Sequence, residues 1–224
     1  MDLKRGFIFP TRDPQWVVKV LIGTLITLVP ILNFAAVGYA MHTSRNVYED
    51  RETPLPEWND FGGHFRRGFL GVVVQFLWSI PVLLVTCPFI FIIISSVDAE
   101  AGTLTETGGA AFICLPILMA LTSLILTPFM MTAFTRYAVT NQFGEAMPGP
   151  VLREVRRNIR PWLLITATTI GLVMLATALP FCTFGFGTIL IIPFVFYIQL
   201  VLAHWYAQAH QASTGENVAP WSMV

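Results

Sequence analysis

The sequence predicts an all-α integral membrane helix bundle, and three observations carry that class. Of the 224 residues, 55% are hydrophobic and only 12% are charged, about half the charged fraction of an ordinary soluble domain. Mean hydropathy is +0.68, and Leu, Ile, Val and Phe run in blocks long enough to span a bilayer. The formal net charge is zero, yet all 13 basic residues lie in 1–67 or 136–160.

Residues 1–15 mix basic and aromatic side chains with two prolines and read as a stretch lying at a membrane interface. The apolar segment 16–44 is interrupted by Pro30-Ile31-Leu32-Asn33. Each half is about 14 residues, roughly 21 Å as helix, short of a ~30 Å hydrocarbon core. Either Pro30 kinks one span, the fifth of the bundle, or the halves form a re-entrant hairpin with both ends on one side. Charge favours the hairpin. Loop 42–67 holds Arg45, Arg51, Arg66 and Arg67, and loop 136–160 holds Arg136, Arg153, Arg156, Arg157 and Arg160. The positive-inside rule places both in the cytoplasm. Loop 98–109, with Asp98, Glu100 and Glu106 and no basic residue, then faces outward. Only a hairpin keeps Lys4, Arg5, Arg12 and Lys19 on the cytoplasmic side.

Four full spans follow, at 69–97, 110–138, 162–180 and 188–209, the last two joined by a tight turn over 181–187. Residues 1–210 form a single multi-pass domain, ending in a polar tail, 211–224. The run from Trp16 is too long and too far along for a signal peptide, so it is expected to be retained. The compartment implied is a prokaryotic inner membrane.

Two amphipathic helices are expected on the basic face. In 54–68, Trp58, Phe61, Phe65 and Phe69 share one helical stripe, with Asn59, Asp60, Gly63, Arg66 and Arg67 opposite. Pro56 suits the first helical position, with Glu57 and Asp60 in the first turn. The pattern predicts a short helix in the headgroup plane, aromatic side down. The alternative is a loop whose aromatics pack on neighbouring spans. After Gly149-Pro150, Val151, Leu152, Val155 and Ile159 share a face opposite Arg153, Glu154, Arg156, Arg157 and Arg160. Phe65-Arg66-Arg67 and Val155-Arg156-Arg157 then occupy matching places before a span, a faint internal repeat of span, interfacial helix, span. That repeat argues for a spanning first segment.

The stretch Pro54-Leu55-Pro56-Glu57-Trp58-Asn59-Asp60-Phe61-Gly62, after the pairs Gly38-Tyr39 and Arg45-Asn46 and before Arg136-Tyr137-Ala138, resembles an uncharacterised family of bacterial and archaeal multi-pass membrane proteins, domain of unknown function 4013. The resemblance runs over roughly 5–210. It implies a multi-pass membrane fold and brings no activity with it.

Little in the residues points to chemistry. The spans carry no Asp, Glu, Lys or Arg away from their ends, the usual mark of ion-coupled transport. Gln75, Thr86, Ser123, Thr127, Thr132, Thr166, Thr168, Thr169, Gln199 and His204 read as interhelical hydrogen-bonding groups or as a polar lining. Ala167 and Gly171 would let helices approach closely. Cys87, Cys114 and Cys182 have no metal-like spacing and read as buried thiols. His42, His64, His204 and His210 lack partners for a metal set. Glu57 and Asp60 fit helix capping and salt bridging. No phosphate-binding loop is present.

The expectation is a non-enzymatic multi-pass protein without catalytic, metal or cofactor residues. It would be a scaffold or accessory subunit. Its partners would be membrane lipids, anionic ones included, and other membrane proteins, with no nucleic acid. Trp58, Phe61, Phe65, Arg66, Arg67, Arg153, Arg156, Arg157 and Arg160 are its expected lipid contacts. The alternative is a permease for a small neutral or lipidic solute, with Pro30, Asn33, Gln75 and Gln199 along the path. A membrane enzyme acting on lipid is the third and weakest reading.

Overall fold

The computed structural model describes residues 3–98, 103, 105–182 and 187–215, and of 176–177, 179–182 and 187–191 the backbone alone. The chain order is α1 (Leu3–Ile8), a 3-10 turn (Phe9–Arg12), α2 (Trp16–Thr27), α3 (Asn33–Tyr48), α4 (Phe61–Ser95), α5 (Glu106–Thr140), a second 3-10 turn (Phe143–Ala146), α6 (Pro148–Arg157), α7 (Arg160–Cys182) and α8 (Gly187–Thr214). The all-helical expectation holds.

On α2 and the outer parts of α4 and α5 polarity is arranged inside out. On α2 the buried side is Lys19, Val20, Gly23 and Thr24, while Val18, Leu21 and Leu25 are exposed. A helix in water buries the opposite set, because exposed apolar area is what burial removes. The outer parts of α4 and α5 repeat the pattern, with Leu84, Phe91, Ile94, Phe112, Ile113 and Ile125 all more than 60% exposed. These two 35-residue helices are long and apolar enough to cross a membrane. At 1.5 Å per residue each is about 52 Å long, so part of each lies beyond a ~30 Å core. They form an antiparallel hairpin, closed where Thr105 N donates to Ser96 O at 2.9 Å. Trp78 stacks on Phe129, ring centroids 6.4 Å apart.

The inner ends of that hairpin enter a helical base. There α4 buries His64, Gly68, Gly71 and Val74, and α5 buries Thr132, Ala133, Thr135, Tyr137 and Ala138. Helices α3 and α8 run through the base, α3 against α4 and α8 against α1, α2, α3 and α7. The α3–α4 crossing is a backbone contact. A Cβ on Gly38 would stand 1.8 Å from His64 O, and one on Gly68 would stand 1.8 Å from Phe34 O. The close approach expected at Ala167 and Gly171 is not there: nothing lies within 4 Å of a Cβ on Gly171.

Segment 16–44 breaks where its proline predicts, between Thr27 and Asn33. Its halves fold back on each other. Lys19 at the start of α2 and both Tyr39 and Asn46 of α3 reach the same loop, 54–58. A single straight helix would hold Lys19 and Tyr39 about 30 Å apart. The bend between them, with Leu28, Val29 and Ile31, is exposed and apolar.

Several expectations change. No separate helix covers 54–68; residues 54–60 are loop and α4 runs unbroken from Phe61. The prolines and the Asp60 cap start the helix late. The second surface helix exists as α6, which meets α7 at a 95° bend. The two halves of the apparent repeat therefore differ, since one is a continuous helix and the other a bent pair. That bent pair counts as a third span only if taken as one. Residues 188–209 lie within the helix α8, which continues to Thr214 with Ser213 buried. The tail thus starts later than 211. Loop residues 183–186, most of 98–105 and the tail from 216 lie outside the described residues. Cys87 and Cys114 are free and exposed rather than buried, and Cys182's side chain lies outside the description. The threonines at 127, 132, 166 and 168 each donate to the carbonyl four residues back in their own helix, so their bonds are local; Thr166 also lies 3.9 Å from Met131 Sδ of α5.

The glycine crossing yields a contrast. Gly38→Ala or Gly68→Ala overpacks the α3–α4 contact, which costs about 1–3 kcal/mol. Gly171→Ala meets open space and is expected to be neutral or mildly stabilising. Thermal unfolding in detergent should show the first two melting several degrees lower and the third unchanged.

Candidate functional site

Loop 54–58 is where the chain's separate parts meet. Pro54 and Pro56 have no N–H, so the strip offers mainly acceptors. Asn46 Nδ2 donates to Pro54 O at 3.0 Å. Lys19 Nζ donates to Leu55 O at 3.3 Å, Tyr39 OH to Pro56 O at 2.9 Å, and His64 Nε2 to Glu57 O at 2.9 Å. Four successive carbonyls are thus held by side chains of α2, α3 and α4. Leu55 is buried with Phe9, Val47 and Tyr39. Trp58 stacks on Tyr39 at 4.2 Å and 13° and donates to Lys19 O at 3.0 Å. Asp60 then caps α4, accepting from Gly63 N at 3.0 Å.

Two ion clusters lock the base. Lys19 Nζ sits 2.8 Å from Asp13 and 2.6 Å from Glu57. Asp13 also accepts from Gln15 N at 2.8 Å. In the second cluster, Glu154 joins three helices. Arg136 of α5 reaches it at 2.7 Å, and His210 of α8 donates to it at 2.8 Å. Arg136 also pairs with Glu145. His204, by contrast, stacks on Phe9 at 4.8 Å. At the end of α3, Glu49 takes both Arg45 and Arg51 at 2.7 Å. Partial burial would raise that carboxyl, but the two guanidinium groups hold it below the usual carboxylate range. A depressed carboxyl supports folding above its unfolded pKa and loses that support as pH falls through its folded one.

The expected lipid-contact residues divide. Trp58 faces inward. Phe61 and Phe69 are exposed, and Phe65 packs edge-on against Phe34. Arg66 is exposed and Arg67 half-buried, its Nε and Nη1 shielded and without a partner. On α6, Val151, Val155 and Glu154 are buried while Leu152, Arg153, Arg156 and Arg157 are exposed. Among the described residues Arg153, Arg156, Arg157 and Arg160 carry no ion pair. Arg153 and Arg157 line an open cleft of about 460 Å³ with Arg136, Ser213 and Thr214. Sequence periodicity assigned Glu154 to the outer polar face and Leu152 to the inner apolar one; the structure reverses them, burying Glu154 against Arg136 and His210 and leaving Leu152 exposed. The available signal for Glu154 was a single carboxylate inside a basic run.

The expected path residues separate also. Gln75 of α4 and Gln199 of α8 line one cleft, with Val37, Ala40, Phe134, Leu202, Ala203 and Tyr206, about 210 Å³ in volume. Neither Pro30 nor Asn33 lines it.

The fold and these contacts define a helical protein with apolar helices of membrane-crossing length and an ion-paired base. Residues 21–181 match the family described as Protein of unknown function (DUF4013), and the chain belongs to that family. The curated proteins and the solved structures contain no match to it. The pairs Gly38-Tyr39 and Arg45-Asn46 supply one glycine of the crossing and two of the loop's donors.

Removing the cation of the first cluster tests how much the base depends on it. Lys19→Met leaves the buried Asp13 carboxylate without its cation, a change that costs about 3–5 kcal/mol. Lys19→Met with Asp13→Asn is expected to recover part of that stability, read as the melting temperature in detergent.

Proposed function

We propose that the protein is a non-enzymatic, multi-pass protein of a prokaryotic inner membrane, a scaffold or accessory subunit that contacts anionic lipid headgroups from its cytoplasmic side. One observation carries this: α6 leaves α7 at 95°, anchored by buried Val151, Glu154 and Val155, while exposed Leu152 sits beside unpaired Arg153, Arg156 and Arg157. A surface-lying helix with an apolar edge and basic residues suits a headgroup layer. The rigid base behind it suits a platform for another membrane protein.

Replacing Arg153, Arg156 and Arg157 by Gln should lower retention of phosphatidylglycerol through purification. At ~1 kcal/mol per charge the loss approaches two orders of magnitude at low salt, shrinking as salt rises, with the melting temperature unchanged. Retention that stays the same would remove the headgroup reading.

A permease for a small neutral or lipidic solute is the second reading, favoured by Gln75 and Gln199 sharing one cleft. Solute flux in proteoliposomes separates the two. In both readings 16–44 is a re-entrant hairpin with the N-terminal segment cytoplasmic. A reporter before Trp16 should read the same side as one in 141–147; the opposite side would exclude the hairpin.

A further inference from the structure

From the cleft between α3, α4, α5 and α8 we infer a binding site for an uncharged lipid bearing a free hydroxyl, of the monoacylglycerol kind. This stands apart from headgroup contact, because no arginine lines the cleft.

Its walls decide what can enter. Val37, Ala40, Leu202 and Ala203 are apolar, and Phe134 and Tyr206 meet edge to face at 6.4 Å and 74°. The lining holds no Asp, Glu, Lys, Arg or His. A phosphate or carboxylate would therefore shed water with no counter-charge in the wall, which costs several kcal/mol or more. An acyl chain alone would fill the apolar part and leave the amides unused. Gln199 Oε1 is buried and has no hydrogen-bond partner. A buried acceptor in that state calls for a donor, and the donor must come from something uncharged. Gln75, on the facing helix and exposed, stands at the mouth and adds a second amide. A hydroxyl on a short apolar body satisfies Gln199 while its chain lies along Val37 and Leu202. An acidic or zwitterionic lipid would bring its phosphate to a wall with no counter-charge.

The test uses the full chain in phosphatidylcholine nanodiscs and compares 1-monooleoylglycerol with methyl oleate, which has the same acyl chain and no donor. Native mass spectrometry should show monooleoylglycerol retained about fivefold to tenfold better, the worth of one hydrogen bond. Gln199→Leu, close in size, should erase that preference, while Val37→Phe narrows the cleft and should displace both. Replacing Arg153, Arg156 and Arg157 by Gln should leave the preference intact, which keeps this result separate from the headgroup one. Equal retention of the two esters, or a preference surviving Gln199→Leu, overturns the inference. Should Gln199→Leu not fold, Gln199→Met serves instead, and a preference it leaves untouched is equally fatal.

Discussion

The base depends on one strip of unpaired acceptors. A loop buried among helices must satisfy its carbonyls, since an orphaned one costs about 1–3 kcal/mol. Here Pro54, Leu55, Pro56 and Glu57 each surrender a carbonyl to a different side chain, Asn46, Lys19, Tyr39 and His64. Each of those bonds draws a helix to the loop, so α2, α3 and α4 share one reference point. The prolines matter twice, by holding the strip extended and by removing N–H groups that would need acceptors of their own. Trp58 closes the assembly over Tyr39.

That arrangement explains why so polar a set sits inside so apolar a protein. Asp13, Lys19, Asn46, His64, Glu154 and His210 are buried while long runs of Leu, Ile and Phe face outward. In a bilayer, apolar surface gains nothing by meeting other apolar surface. Polar groups gain by meeting one another, because the alternative is hydrocarbon. Helix association then rests on ion clusters, on side chain to carbonyl bonds and on the glycine crossing of Gly38 and Gly68. The clusters are matched: Lys19 lies between Asp13 and Glu57, and Glu154 lies between Arg136 and His210. Buried ions persist where geometry and partners are complete.

Function, on this reading, is drawn from what the base leaves over. The arginines absorbed in pairs, Arg45, Arg51 and Arg136, serve structure. Those of α6 and the start of α7 carry no ion pair among the described residues. The amides of Gln75 and Gln199 are likewise left over, in a neutral cleft rather than a basic one. The same economy of partners that assembles the base thus marks two chemically different surfaces.

Composition and periodicity by themselves determined the helical class, the break at Pro30, the basic ends and, of the four spans expected, the two apolar helices α4 and α5 of membrane-crossing length, because those follow from local hydropathy and from proline's missing N–H. A helix following Gly149-Pro150 was legible for the same reason. Legible too was the family, through residues 54–62, though not the reason for that motif. The tertiary structure alone decided that the motif is an acceptor strip rather than a helix. It alone showed that Glu154 points inward, and that Gly38 and Gly68, thirty residues apart, form the close crossing in place of Ala167 and Gly171. It placed Gln75 and Gln199 along one cleft without Asn33. All of these depend on contacts between segments distant in the chain, and a hydrophobic period records which face is apolar without recording what that face meets. On α2 the period inverts its usual meaning, hiding Lys19 and Thr24 and showing Leu21 and Leu25, the arrangement an apolar solvent favours because there the polar side has more to gain from burial.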